Sequence, residues 1–153
     1  MIVRPARLED VPTIVKLWRE MWEVHFAVDP RYEPTPFCEN IMTGWVEKCL
    51  ASEGARVWVA EEGEIIGYVN GMILENPPVV PWTQFGYVSE LAVDGRFRRR
   101  GVGAALVTAI HEWFRSVKIP YVEVNVSVRN ALSRSFWRKV GYGEFLERLR
   151  MDL

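Results

Sequence analysis

One short segment of this chain has the residue types and spacing to hold an anion. It is Arg98-Arg99-Arg100-Gly101-Val102-Gly103, set between an apolar run ending at Val93 and a helical apolar pattern starting at Val102. The first N–H groups of a helix have no intrahelical acceptors, and the peptide dipoles add positive potential there. Gly101 and Gly103 remove side chains, so a pyrophosphate can approach the backbone of residues up to Ala104 closely. Arg96, Arg98, Arg99 and Arg100 add mobile positive charge. No Gly-Lys-Ser/Thr follows, which excludes a Walker loop, and the three-glycine spacing of a dinucleotide fingerprint is missing. As a bare string the pattern more often marks a tight turn with a solvated basic face. Its position between a strand and a helix favours the anion cradle.

The other reactive side chains form no such constellation. His25 and His111 have no serine or cysteine partner at a useful spacing. Cys38 and Cys49 lack metal-ligand spacing, and the chain is too large to need a disulfide staple. Both read as core or amphipathic-face residues, and no metal is expected.

The elements that must position the turn are legible in the hydrophobic pattern. Gln84 to Val93 is rich in aromatic and β-branched residues and predicts a strand. Residues 102–117 predict a helix with Val102, Leu106, Val107, Ile110, Trp113 and Phe114 on one face. Tyr121 to Val128 alternates strictly and predicts a second strand, so the three make a β-α-β crossover with a parallel pair. Upstream, residues 2–5 predict a short strand and 9–27 a helix that opens with Glu9 and Asp10. The proline-containing stretch Val28–Pro36 is irregular, and 37–51 predicts a helix with Phe37, Ile41, Trp45 and Cys49 inward. Val57–Ala60 and Ile65–Leu74 predict a hairpin turning at Glu62-Gly63. Downstream, Asn130–Val140 predicts a helix stopped by Gly141, and Tyr142–Leu153 a last strand. Trp18, Trp22, Trp45, Trp58 and Trp113 are expected in the core. The order β-α-α-β-β-β-α-β-α-β implies an α/β (α+β) fold: a mixed, mostly antiparallel sheet with helices on both faces.

With these residues in order, the chain resembles the GCN5-related N-acetyltransferases, the GNAT family. Leu91-Ala92-Val93-Asp94, Arg98-x-x-Gly101-x-Gly103 and the following helix are similar to that family's coenzyme A site. Asn130-Ala131, Phe136-Trp137 and Gly141-Tyr142 are similar to its second signature, and Val3-Arg4-Pro5-Ala6 and Ile66-Gly67-Tyr68 also fit. The resemblance covers essentially the whole chain. It implies a splayed parallel strand pair, 84–93 beside 121–128, that holds acetyl-CoA as cosubstrate. The backbone of Leu91 and Val93 would pair with the pantetheine arm, Ala92 between them being counted with the cofactor site, and the N–H groups of residues 98–104 would hold the pyrophosphate. Asn130 would contact the arm, with Phe136 and Trp137 as its wall.

The implied activity is acetyl transfer to an amine by direct attack in a ternary complex. The amine must lose a proton to attack a thioester, which calls for a base. Glu90, a carboxylate in an apolar strand next to the implied acetyl site, is the candidate, with its pKa raised by desolvation. A backbone N–H near Leu91, freed by a strand bulge, would stabilise the thioester oxygen. Many family members carry a tyrosine four residues before the glycine of the second signature, and here that position is Trp137. The thiolate would instead take its proton from water, from Tyr87 or, less favourably, from Tyr142. His25, Asp29, Tyr32 and Glu33 lie in the segment that borders the acceptor pocket in this family.

Length and charge set the outer limits. The 153 residues suit one domain, 1–153, and a net charge of −1 argues against a polyanion binder. A nucleic-acid reading through Arg96–Arg100 ranks last, because the basic residues are confined to one turn. The opening Met1-Ile2-Val3-Arg4-Pro5 has no secretory pattern, and no apolar run approaches the ~20 residues that span a bilayer. The expectation is a cytoplasmic enzyme with a small-molecule or peptide amine acceptor, no nucleic-acid or membrane partner, and a homodimeric state that the aromatic content permits. A non-catalytic acyl-CoA module is the alternative, favoured by Trp137 and opposed by Glu90.

Overall fold

A computed structural model describes residues Met1–Leu153. Five strands form one sheet in chain order: β1 (Ile2–Pro5), β2 (Ala55–Glu62), β3 (Glu64–Glu75), β4 (Gln84–Val93) and β5 (Val122–Val124). The first four are antiparallel neighbours, and β4 and β5 are parallel. The β2–β3 hairpin turns at Gly63, whose φ of 79° is the left-handed conformation a tight hairpin requires. Helices α1 (Val11–Val28) and α2 (Cys38–Ala51) cover one face of the sheet. Helices α3 (Val102–Ser116) and α4 (Ala131–Lys139) cover the other. The expected mixed, mostly antiparallel sheet between two helical layers is what forms.

Each layer has its own core. Ile14, Trp18, Val46, Val57, Val59 and Tyr68 meet on the α1/α2 side. Ile66, Val69, Val88, Leu106, Ile110, Phe114 and Trp137 meet on the α3/α4 side. The expected inward row of α2 needs correction. Its buried stripe is Met42, Val46 and Cys49, whereas Phe37 and Ile41 are exposed. Residues four apart drift by about 40° per step, so a row of three such steps leaves the buried face.

The two C-terminal strands also differ from expectation. Only Val122–Val124 of the alternating run 121–128 pairs with β4, and no strand forms after α4. Gly141 and Tyr142 still close the helix, and the Tyr142 hydroxyl lies 2.7 Å from His111 Nε2. Beyond them Phe145, Leu146, Leu149 and Met151 stay exposed, and the tail's charges pair with the loop after α1 instead of lying along β5. A three-residue edge offers few ladder bonds to a strand whose apolar residues do not alternate cleanly.

One ion pair fixes the start of the fold. Arg4 on β1 holds Asp10 through Nη1 to Oδ2 at 2.8 Å and Nη2 to Oδ1 at 3.0 Å, and the Arg7 N–H donates to Oδ2 at 2.7 Å. Asp10 is buried, and its removal leaves Arg4 with Glu61 alone, Nε to Oε2 at 2.7 Å, and takes the acceptor from the Arg7 N–H. Asp10→Ala is expected to destabilise the protein by about 2 kcal/mol in chemical denaturation. Arg4 holds the Asp10 carboxyl below the usual carboxylate range. Its contribution is therefore full above the unfolded value of about 3.9 and is lost as pH falls through the depressed folded value. The difference between wild type and variant should shrink only in that acid window.

Candidate active site

A bulge in β4 aims the central carboxylate. Asn70 of β3 opposes Glu90 while Gly71 opposes Val88, which leaves Ser89 as an extra residue in β4. Before the bulge Val88 packs toward α3; after it Leu91 and Val93 do. In an unbroken strand Glu90 would share a face with Val88. The extra residue turns it instead to the α1/α2 side with Ala92, and brings Tyr87 and Glu90 to one face although they are three apart.

Glu90 has no cationic partner within ion-pair distance. Its Oε2 accepts from Asn70 Nδ2 at 2.9 Å and from Ser89 Oγ at 2.7 Å. Desolvation raises its pKa, opposed by the hydrogen bonds from Ser89, Asn70 and the Trp45 indole. The phenol of Tyr87 accepts from Asn125 Nδ2 at 3.0 Å, and burial raises its pKa further above the ordinary value. Asn70 and Ser89 were not singled out from the sequence. The available signal for Asn70 was a lone amide at an inward position of the apolar run 65–74. For Ser89 there was none, because bulges leave little trace in composition.

Past the bulge, β4 has an open edge, because β5 pairs only with Gly86–Val88. The Asp94 N–H donates back to Ile66 at 2.9 Å, while the Val93 carbonyl accepts from Arg98 Nε at 3.2 Å on the other side. Alternation then directs the backbone groups of Val93 and Leu91 to the open edge and those of Ala92 to β3. At the end of this edge Gly101 caps α3 with φ 85°, and Arg99 is also left-handed at φ 60°. The first helical bond is Ala105 N–H to the Gly101 carbonyl at 3.0 Å. No N–H group from Arg98 through Ala104, Val102 included, has an acceptor in the protein. A Cβ at Gly103 would stand 3.1 Å from the Phe136 ring, so α4 packs closely on this helix start.

The arginines are less free than expected. Arg96 is held by Asp94 and Glu64, and Arg100 by Glu62. Arg98 and Arg99 remain for an anion. Asn130 caps α4, its Oδ1 accepting from the Ser133 N–H at 3.0 Å, while its Nδ2 has no partner. Trp137 is 7% exposed. It is a core residue packed edge-on against Phe136 and Tyr142. The indole takes that place because the amphipathic face of α4 turns its largest apolar group to α3. Tyr142, tied to His111, lines a separate cleft of about 430 Å³ on the α3 side. It therefore lies across the sheet from the face Glu90 uses.

The C-terminal half of α1 and the turn after it form an aromatic wall. Trp22, His25 and Tyr32 lie with ring centroids 5.6 to 6.1 Å apart, and Trp22 Nε1 donates to the Tyr32 carbonyl at 2.9 Å. Burial lowers the His25 pKa. Asp29 is not open to a ligand: it caps the turn at Arg31 and is paired with Arg150 of the tail. Glu33 is exposed and unpaired.

The comparisons with known proteins agree with this geometry. The model of the acetyltransferase (GNAT) family matches residues 12–142. The N-alpha-acetyltransferase of Sulfurisphaera tokodaii is 30% identical over 152 residues, covering 93% of this chain and 80% of that protein. A mutant protein of Bacillus halodurans superposes with a TM-score of 0.92 at 20% identity, over 100% of this chain and 99% of that one. A predicted acetyltransferase of Clostridium acetobutylicum, solved with acetyl-CoA, superposes with a TM-score of 0.80 at 19% identity, over 99% and 95%. The two superpositions establish a shared fold, and the family match extends over most of the chain and both of its layers. The chain belongs to the GNAT family and is an acetyl-CoA-dependent N-acetyltransferase.

Proposed function

We propose that this enzyme acetylates a primary amine by direct attack, with Glu90 as the base. The observation that carries the reading is a desolvated carboxylate, free of any cation, beside the open edge of β4. Acetyl-CoA supplies a thioester whose carbonyl carbon the amine attacks, forming the C–N bond as the C–S bond breaks. The residues present fit it. The unpartnered N–H groups of 98–104 suit the pyrophosphate, and the free backbone groups of Leu91 and Val93 suit an extended amide arm. An arm on Val93 takes over the carbonyl that Arg98 now uses and frees that guanidinium for phosphate. The Leu91 N–H is the donor for the thioester oxygen. Glu90 takes the amine proton. Tyr87, on the same face and still protonated at working pH, gives one to the departing sulfur. Phe136 and Asn130 Nδ2 border the arm.

The acceptor enters over Trp22, His25 and Tyr32, with Glu33 as the available carboxylate for an ammonium group. The name of the Sulfurisphaera relative is a reason to test peptide α-amines beside small amines. Cys49, the thiol nearest Glu90, is buried and its pKa is pushed up, so it is not a nucleophile for a covalent route. Initial-rate kinetics with a panel of amines should give intersecting double-reciprocal lines. Parallel lines would mean an acyl-enzyme and would overturn direct attack.

A further inference from the structure

We infer that Asn70 and Ser89 are positioning residues for the reaction: they fasten Oε2 of Glu90 and leave Oε1 as the atom that takes the amine proton. The inference rests on Glu90 being the base. Two donors converge on one carboxylate oxygen, Asn70 Nδ2 at 2.9 Å and Ser89 Oγ at 2.7 Å. Oε1 accepts no hydrogen bond from either; the Trp45 indole, the third group that favours the charged carboxylate, is not one of the two donors on Oε2. A carboxylate held at one oxygen cannot rotate to present the other, and its free lone pairs keep one direction.

Asn70 is an unusual residue to bury. It is 1% exposed at the centre of β3, and its own Oδ1 has no partner. The reverse orientation of the amide would set two oxygens against each other at Glu90. The fold thus leaves an acceptor unmet on the amide whose donor it uses, with Cys49 Sγ 3.4 Å from the same Nδ2 as the back wall. Ser89 owes its position to the bulge: as the extra residue in β4 it reaches the side chain of its neighbour, which strand geometry ordinarily prevents. One irregularity both turns Glu90 to the acceptor face and supplies a clamp for it.

Both donors favour the charged form of Glu90 against desolvation. Removing either raises the pKa of the base, so activity requires a higher pH. The test is the pH profile of kcat/KM for Ser89→Ala, Ser89→Thr and Asn70→Leu, with Glu90→Gln alongside. The acid limb is expected to move up by about one pH unit in Ser89→Ala and Asn70→Leu, and back in Ser89→Thr, which keeps the hydroxyl. A role in packing alone would lower kcat/KM at every pH without moving the limb. An unmoved limb in Ser89→Ala, whose partly exposed site keeps the fold intact, overturns the inference if Glu90→Gln is inactive. Full activity of Glu90→Gln removes the base itself, and the inference with it.

Discussion

Glu90→Gln is expected to lower kcat by about 10²- to 10⁴-fold, the range that a positioned general base contributes. The substitution keeps the shape of the side chain, and the amide oxygen can still accept from Asn70 and Ser89, so the bulge and both cores should persist. Acetyl-CoA affinity should be unchanged, because the N–H groups of residues 98–104 and the Leu91 and Val93 backbone are untouched. The pH profile carries a second expectation. The wild-type Glu90 must be ionised to accept a proton, and its pKa lies above the ordinary glutamate value. Its kcat/KM therefore rises as pH climbs through that raised pKa, and the limb should be absent from whatever activity the variant retains. Wild-type turnover by the variant would remove Glu90 from the mechanism and leave Tyr87 and water to move the protons.

The sequence made much of this legible, for reasons particular to each element. The aromatic and β-branched run Gln84–Val93 marks a strand, and the helical row Val102–Leu106–Ile110–Phe114 has one period and one buried face, so the crossover and its glycine turn could be read directly. The bulge is expected near Leu91 only as part of the site the family resemblance implies, and its place at Ser89 could not be read. It depends on a register between two strands far apart in sequence, and Ser89 is chemically ordinary until that register is known. Trp137 shows a different limit. Its sequence position matches a family site residue, and the packing of the α4 face that carries it on α3 could not be read from that match. The acid–base pairing of the tail with Asp29 and Arg31 was equally hidden, because surface ion pairs between distant segments follow from where a loop lies rather than from composition. The same pairing removes Asp29 from the candidate acceptor groups and leaves aromatic rings as the main surface there.

Gly101→Asp should abolish acetyl-CoA binding with little loss of fold. The wild type at ~100 times its dissociation constant should gain about 2.7 kcal/mol, which for a domain of this size raises Tm by roughly 5–10 °C. Gly101 sits at φ 85° with nothing within 4 Å of a Cβ built on it, so the obstacle to a side chain there is conformational rather than steric. Aspartate tolerates the left-handed region better than most residues, and its carboxylate can accept from the free N–H groups of the helix start. Those two effects offset part of the cost of replacing glycine in the ligand-free protein. With acetyl-CoA they act together against binding: the carboxylate occupies the donors that a pyrophosphate needs and repels it by charge. Gly101→Ala separates the contributions, since it carries the conformational cost without the charge and should keep most of the thermal shift. Equal shifts in wild type and Gly101→Asp would move the pyrophosphate off this turn. The unpartnered N–H groups of Arg98 to Ala104 would then need another ligand, while the open edge of β4 would still stand as the place for an extended amide arm.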